Sequence, residues 1–279
     1  MVKQGFINKN NLGIMQGRLV DSPNKKIQCF PGIKWKKEFK IAKLNGFHLI
    51  EWTVNKYNLN TNPLLQQKKL KEIKKEKKNF NIRIDSLTCD YFMETAFFLE
   101  KNNSKKEEII NNLKKLIKHS QLLNIKFFII PLVDKTSIKT TNHENQVIKL
   151  IKGFLPLVKR NSYILFETDY KPNKIRNFIK KFNTTKVKIN YDTGNSASLG
   201  FNFDEEKNYY DLIKNVHIKD RKLKGSTVRL GLGNARLKKI INFFKKKKYR
   251  GNFILQTARN KRNLHVQEIN LNRDYILQL

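Results

Sequence analysis

Four polar residues each close a short apolar run in the second half of the chain. Glu167 follows Tyr163-Ile164-Leu165-Phe166, and Asp192 follows Lys188-Ile189-Asn190-Tyr191. His217 sits inside Asn215-Val216-His217-Ile218, and Gln256 ends Phe253-Ile254-Leu255-Gln256. The four lie 25, 25 and 39 residues apart, each gap compatible with one strand-and-helix unit, the last enlarged by a loop. Two carboxylates, an imidazole and an amide oxygen, with no thiolate, suit a borderline-to-hard divalent cation: Mn²⁺, Mg²⁺, Co²⁺ or Zn²⁺. Such a cation, bound to a carbonyl and its neighbouring hydroxyl, acidifies the adjacent C–H and stabilises the enediolate that follows proton removal. Singly, each residue is an ordinary cap or satisfied structural group; their joint placement carries the metal reading.

For the four to converge, they must stand at one end of neighbouring strands. The sequence predicts eight strands, at 12–15, 47–52, 83–88, 126–131, 163–166, 186–190, 215–218 and 253–256. Helical periodicity falls between them, at 35–45, 64–79, 105–123, 144–158, 172–182, 205–213 and 235–247. After the last strand the pattern predicts a short, partly irregular tail in place of a helix. Alternating strands and helices imply a parallel sheet, eight units match closure, and no GxGxxG turn follows the first strand. The expected fold is a (β/α)8 TIM barrel, α/β, forming one domain over residues 1–279. Barrel enzymes keep their chemistry at the C-terminal ends of the strands, where these four residues fall.

Charge points elsewhere at first sight. Fifty-eight Lys and Arg against 23 Asp and Glu give a formal net charge of +35, which invites a polyanionic partner. The lysines interleave with apolar helix positions, as in Leu70-Lys71-Glu72-Ile73-Lys74-Lys75, and gather in no single arm or module, so solvated helix faces explain them better. Cys29 and Cys89 show no metal or disulfide spacing. The N-terminus lacks an apolar leader core and no run approaches the ~20 apolar residues of a membrane span, so a soluble, cytoplasmic protein is expected.

The chain resembles the sugar isomerase/epimerase family of xylose isomerase-like barrels nearly end to end. The resemblance rests on Gly13-Ile14-Met15-Gln16-Gly17-Arg18, Ile50-Glu51-Trp52, Tyr191-Asp192-Thr193-Gly194-Asn195, His217-Ile218-Lys219-Asp220 and Ile254-Leu255-Gln256-Thr257-Ala258-Arg259. It implies a Glu, an Asp, a His and a second Glu as metal ligands, the two glutamates serving as the acid/base pair. These map to Glu167, Asp192, His217 and Gln256. Gln256 departs from the pattern: an amide can offer a metal its oxygen but cannot exchange a proton as a carboxylate does. Glu167 is then the expected base, and a one-base isomerisation is favoured over a two-base epimerisation. Asp90, Glu51, Asp169 and Lys219 stand in plausible places for a replacement acid.

Around this centre, Arg18, Glu51, Lys219 and Arg259 are expected to contact substrate, the cations holding any anionic group. Asn195 and Asp220 are expected to orient the ligands, and Trp52, Tyr91 and Phe92 are candidates to wall the site. The substrate is a small sugar or sugar phosphate; no membrane is involved, and the oligomeric state is left open, a homo-oligomer included. Two other functions compete: an abasic-site endonuclease, which needs a histidine-rich multi-zinc site, and a non-catalytic sugar-binding barrel, which Gln256 alone supports. Nucleic acid is disfavoured because, of five histidines, only His217 falls among other ligands at a strand end.

Overall fold

In the computed structural model, which describes residues 5–21, 23, 28–260 and 262–279, eight parallel strands close on themselves. They are β1 (Leu12–Met15), β2 (Ile50–Val54), β3 (Ser86–Cys89), β4 (Phe127–Leu132), β5 (Tyr163–Thr168), β6 (Val187–Asp192), β7 (Ile213–Ile218) and β8 (Asn252–Leu255). Each overlaps an expected strand. β2 starts three residues later than expected because its approach makes only an isolated bridge, Leu49 to Arg83. Residues 1–4 of the N-terminal segment lie outside the described residues.

Side chains alternate across a strand, so each strand has an outward and an inward set. The helices run in chain order as α1 (Trp35–Leu44), α2 (Leu70–Phe80), α3 (Asp90–Thr95), α4 (Asn103–Leu122), α5 (Thr141–Phe154), α6 (Pro172–Lys180), α7 (Thr193–Leu199), α8 (Phe203–Glu206), α9 (Leu237–Lys246) and α10 (His265–Leu277), and the outward set packs on the helical layer. Trp52 meets Trp35 and Phe39 of α1, and Phe166 meets Phe178 of α6 and Phe182 just beyond it. Truncating a buried ring such as Phe166 to alanine costs about 3–5 kcal/mol. Trp52 and Phe92 are fully buried and Tyr91 is 3% exposed, so these aromatics belong to the core rather than to a sugar-facing wall.

The inward set is layered. Met15, Leu49 and Ile254 form an apolar plug separate from the main core. Polar residues share the interior with it: Glu51, Ser86, Thr88, Asn190, Asn215 and His217, each at most 2% exposed. A register shift between β6 and β7 aims two of the candidate ligands. Ile189 pairs with Ile213 but Asn190 with Asn215, leaving Lys214 as an extra residue, after which Asp192 stands opposite His217.

Two short helices close the C-terminal ends of β3 and β6: α3 (Asp90–Thr95) and α7 (Thr193–Leu199). The expected irregular tail is instead a regular helix, α10 (His265–Leu277). Its buried positions His265, Glu268, Ile269, Asn272 and Ile276 keep helical spacing, yet three of them are polar. Glu268 pairs with Arg229, and Asn272 accepts from the Leu230 amide at 3.1 Å, so polar contacts dock this helix where an apolar stripe would be sought. Cys29 and Cys89 are both buried, and neither forms a disulfide. Among the described residues no helix is long and apolar enough to cross a membrane.

Candidate metal centre

Glu167 on β5, Asp192 on β6 and His217 on β7 bring their ligand atoms within 4.8 Å of one another. Asp192 caps α7: its Oδ1 accepts from the Asn195 amide at 2.7 Å, while its Oδ2 lies 2.9 Å from Lys219 Nζ. Glu167 is held by two amides, Asn195 Nδ2 at 2.6 Å and Asn190 Nδ2 at 3.0 Å. His217 Nδ1 faces this pair, 3.0 Å from Glu167 Oε2 and 3.9 Å from Asp192 Oδ2. Its other nitrogen, Nε2, sits 2.7 Å from Glu51 Oε1.

Glu51 is wholly buried and fully partnered. Besides His217 it accepts from Ser86 Oγ and Thr88 Oγ1, each at 2.6 Å, and from Asn215 Nδ2 at 3.1 Å; Asn215 also donates to Asn190 Oδ1 at 2.8 Å. Burial pushes the Glu51 carboxyl up, but His217 and the two hydroxyl donors outweigh it and hold the group below its ordinary value. Burial likewise pushes the His217 ring down, and Glu51 and Glu167 overcome it, raising the ring to about 10. Burial raises Asp192 as well, yet Lys219 and His217 bring it below the ordinary range. The net is a cation-shaped set of charges: two carboxylates converging on one imidazole nitrogen whose partner nitrogen is fixed from behind.

Gln256 stands just past β8 on the wall of the cavity that Glu167 lines, a space of about 260 Å³. Its Nε2 donates to Gln28 Oε1 at 2.6 Å, while its Oε1 is buried with no partner among the described residues. An orphaned carbonyl oxygen on the wall of the cavity that Glu167 also lines is of the donor type a divalent cation accepts.

The family model for the xylose isomerase-like TIM barrel matches residues 39–275. The chain belongs to that family. Solved structures similar to this xylose isomerase-like barrel include a xylose isomerase-like protein from Mycobacterium smegmatis in complex with magnesium (16% identity, TM-score 0.70, 96% of this chain and 95% of that one). The IOLI protein with a bound zinc atom is also similar (14%, TM-score 0.73, 96% and 98%). A third is D-psicose 3-epimerase from Clostridium cellulolyticum H10, solved with D-tagatose (12%, TM-score 0.71, 95% and 98%). No curated protein sequence matches the chain.

Within this xylose isomerase-like barrel, Lys219 and Asn195 reach the cavity and the other expected contacts are diverted. Glu51 holds His217 from beneath instead of facing substrate. Arg18 is buried at 2% exposure with Nη2 3.5 Å from Gln28 Oε1, and burial and Arg259 push its guanidinium down to about 10. Arg259 spends its donors on the Gly17 and Val20 carbonyls, clamping the loop after β1. Asp220 does not orient His217. It accepts from the amides of Gly231, Gly233 and Ala235 at 3.0, 2.9 and 2.9 Å, so the anion gathered by the Gly231-Leu232-Gly233 loop is the chain's own carboxylate.

Two glycines permit these contacts. A Cβ on Gly194 would fall 2.6 Å from Lys219 Cγ, and one on Gly233 would fall 2.0 Å from Asp220 Oδ1. The inner hydroxyls and amides, Ser86, Thr88, Asn190 and Asn215, escaped the sequence reading. Their signal is polar residues at every second position of otherwise apolar strands, two residues before Asp192 and His217 and opposite Glu51.

Proposed function

We propose that the protein is a metal-dependent isomerase or epimerase of a small sugar or sugar phosphate, working by proton transfer next to a carbonyl. The observation that carries this reading is the convergence of Glu167, Asp192 and His217 Nδ1 at the barrel mouth, with Glu51 fixing the far side of the imidazole. Glu167, Asp192, His217 and the orphaned Gln256 oxygen would hold the cation, which is Mn²⁺, Mg²⁺, Co²⁺ or Zn²⁺. When bound, it supplies a Lewis acid that lowers the cost of negative charge on the substrate carbonyl.

The chain's own groups do the rest. Glu167 takes the proton, its carboxylate held by Asn190 and Asn195 so that little reorganisation precedes transfer. Glu51 holds the imidazole in one orientation. The epimerase and the metal-bound proteins among the structural neighbours support the reading at the level of shared fold.

The abasic-site nuclease is supported less well. Among the described residues one three-residue cluster could hold a metal, and none of the other four histidines lines the cavity: His119 bonds the Leu64 carbonyl, for example, and His143 stacks on Phe98.

Glu167→Gln is the test. It should lower solvent-deuterium entry beside the carbonyl by about 10²–10⁴-fold while calorimetry still detects metal, whereas His217→Ala should lose the metal. Exchange at the wild-type rate in Glu167→Gln would overturn the base assignment.

A further inference from the structure

Gln256 leaves the proton-transfer reading with one base, and the structure supplies a second carboxyl group by another route. We propose that Asp90 is the second proton-transfer residue of this site, serving the substrate from the β3 side of the cavity while Gln28 and Asn55 hold its carboxyl group in place. The proposal rests on the isomerase/epimerase reading and extends it to a two-residue reaction.

Asp90 opens α3 directly after β3, is 2% exposed, and lines the same cavity as Glu167. Gln28 Nε2 lies 2.8 Å from both of its oxygens, and Asn55 Nδ2 donates to Oδ2 at 3.2 Å. Gln28 also accepts from Gln256 Nε2 at 2.6 Å. An unbroken amide chain therefore runs from the position lacking a carboxylate to the carboxyl group that replaces it. Gln256 is spent on orienting that chain and on its one orphaned oxygen.

The other candidates are committed elsewhere. Glu51 is locked on His217, and Lys219 is paired with Asp192. Asp169 is bonded by Ser137 and follows Glu167 by two residues on the same strand end, so it shares Glu167's side of the cavity. Asp90 alone comes from β3, with β4 between it and Glu167.

Its charge environment suits the task. Burial, opposed by the Gln28 hydrogen bond, pushes the Asp90 carboxyl up to about 7. Glu94 on its own helix and Glu167 on β5 add to the rise, Arg18 beyond β1 counters it, and Tyr57 beyond β2 also feels the Asp90 charge. An acid poised near neutrality can both give and take a proton at physiological pH.

The step balances without an added reagent. The Glu167 carboxylate removes the hydrogen beside the carbonyl as a proton; the C–H electron pair becomes a C=C bond and the carbonyl pair moves to oxygen. The Asp90 O–H then delivers its proton to the same carbon, the C=C pair forms the new C–H bond, and the carbonyl returns. Glu167 ends protonated and Asp90 ionised, and exchange with water restores both.

The experiment uses the full chain loaded with Mn²⁺, a panel of unphosphorylated ketohexoses in D₂O, and Asp90→Asn beside wild type. Asp90→Asn should keep Mn²⁺ affinity within twofold and deuterium exchange within about threefold, while epimer formation falls at least 100-fold; Asp90→Glu should recover part of it. In the metal-free protein, ¹³C NMR should show the Asp90 carboxyl titrating near 7. Epimer formation unchanged in Asp90→Asn, or a carboxyl titrating in the ordinary aspartate range, would overturn the proposal for Asp90 alone. A wild type that binds no Mn²⁺ and exchanges no hydrogen would overturn the isomerase/epimerase reading, and this proposal with it.

Discussion

Metal uptake should expel a proton from His217. In the metal-free protein both ring nitrogens face carboxylates, Nε2 at 2.7 Å from Glu51 and Nδ1 at 3.0 Å from Glu167, and the ring is wholly buried. Burial favours the neutral ring, but the two carboxylates win and keep it protonated up to about 10. A cation needs the Nδ1 lone pair, so below that value every bound ion displaces one proton. Each pH unit then changes the apparent affinity about tenfold, or about 1.4 kcal/mol, and lowering the pH from 8 to 6 should weaken Mn²⁺ binding about 100-fold. Asp192, pushed up by burial but held below its ordinary value by Lys219 and His217, is already ionised there and adds no proton of its own.

Titration calorimetry in two buffers of different ionisation enthalpy reads both quantities: the dissociation constant and the number of protons released. One proton per ion at pH 6 and at pH 8 is expected. Glu51→Gln supplies the internal control, because removing the charge behind Nε2 loosens the proton and should reduce the release at pH 8 below one. A dissociation constant equal at pH 6 and 8, with heats indifferent to buffer, would refute the assignment of Nδ1 as the ligand atom.

Two further outcomes follow from the loops that frame the site. Glu38, 1% exposed, accepts from the Gly17 and Leu19 amides, and burial, opposed by those donors, pushes it up to about 7. The folded chain therefore keeps a proton that the unfolded chain loses between about 4.5 and 7, so stability falls by about 3 kcal/mol as pH rises across that window. Urea unfolding should show Glu38→Gln without this fall; an equal fall would discard the assignment. Gly233→Ala should cost about 1–3 kcal/mol and expose the loop after β7 to proteolysis, because its Cβ would meet Asp220 Oδ1 at 2.0 Å. Wild-type stability and protease resistance in that variant would count against Asp220 as the anchor of the loop.

The barrel and the convergence of Glu167, Asp192 and His217 were legible because each left a local mark: apolar runs at regular intervals, and a charged or imidazole residue where each run ends. Glu51 was visible as a residue but not in its role, since its partner lies 166 positions away and only barrel closure brings β2 across to β7. Asp220 was misplaced for a similar reason. Its proximity to His217 in sequence suggested a bond to the ring, whereas strand alternation turns it to the amides of the glycine loop. α10 was missed because apolar periodicity is the signal sought, and this helix buries His265, Glu268 and Asn272 along its docking face. Arg18 and Arg259 looked like substrate cations at strand ends. Carbonyl oxygens of the loop after β1 need donors too, and that internal demand cannot be counted before the loop is placed.

The formal charge is the feature most prone to mislead about substrate. The +35 excess is spread along the chain, largely at exposed positions of helices and loops, where charges are screened within about 8 Å at physiological salt. The cavity has the opposite balance: Asp90, Glu94, Asp134, Glu167 and Asp169 line it against Lys219 and Arg221. Both of those cations are engaged, Lys219 with Asp192 and Arg221 with the Gly225 carbonyl and Asn195 Oδ1. A bound divalent cation would offset part of this negative field, but a phosphate group would still enter among carboxylates, with both wall cations among the described residues already paired. Under the proposed function, this balance argues for a neutral sugar over its phosphate, and against a nucleic-acid backbone on the same ground. The basic exterior and the acidic interior answer to different constraints, and only the interior bears on the reaction.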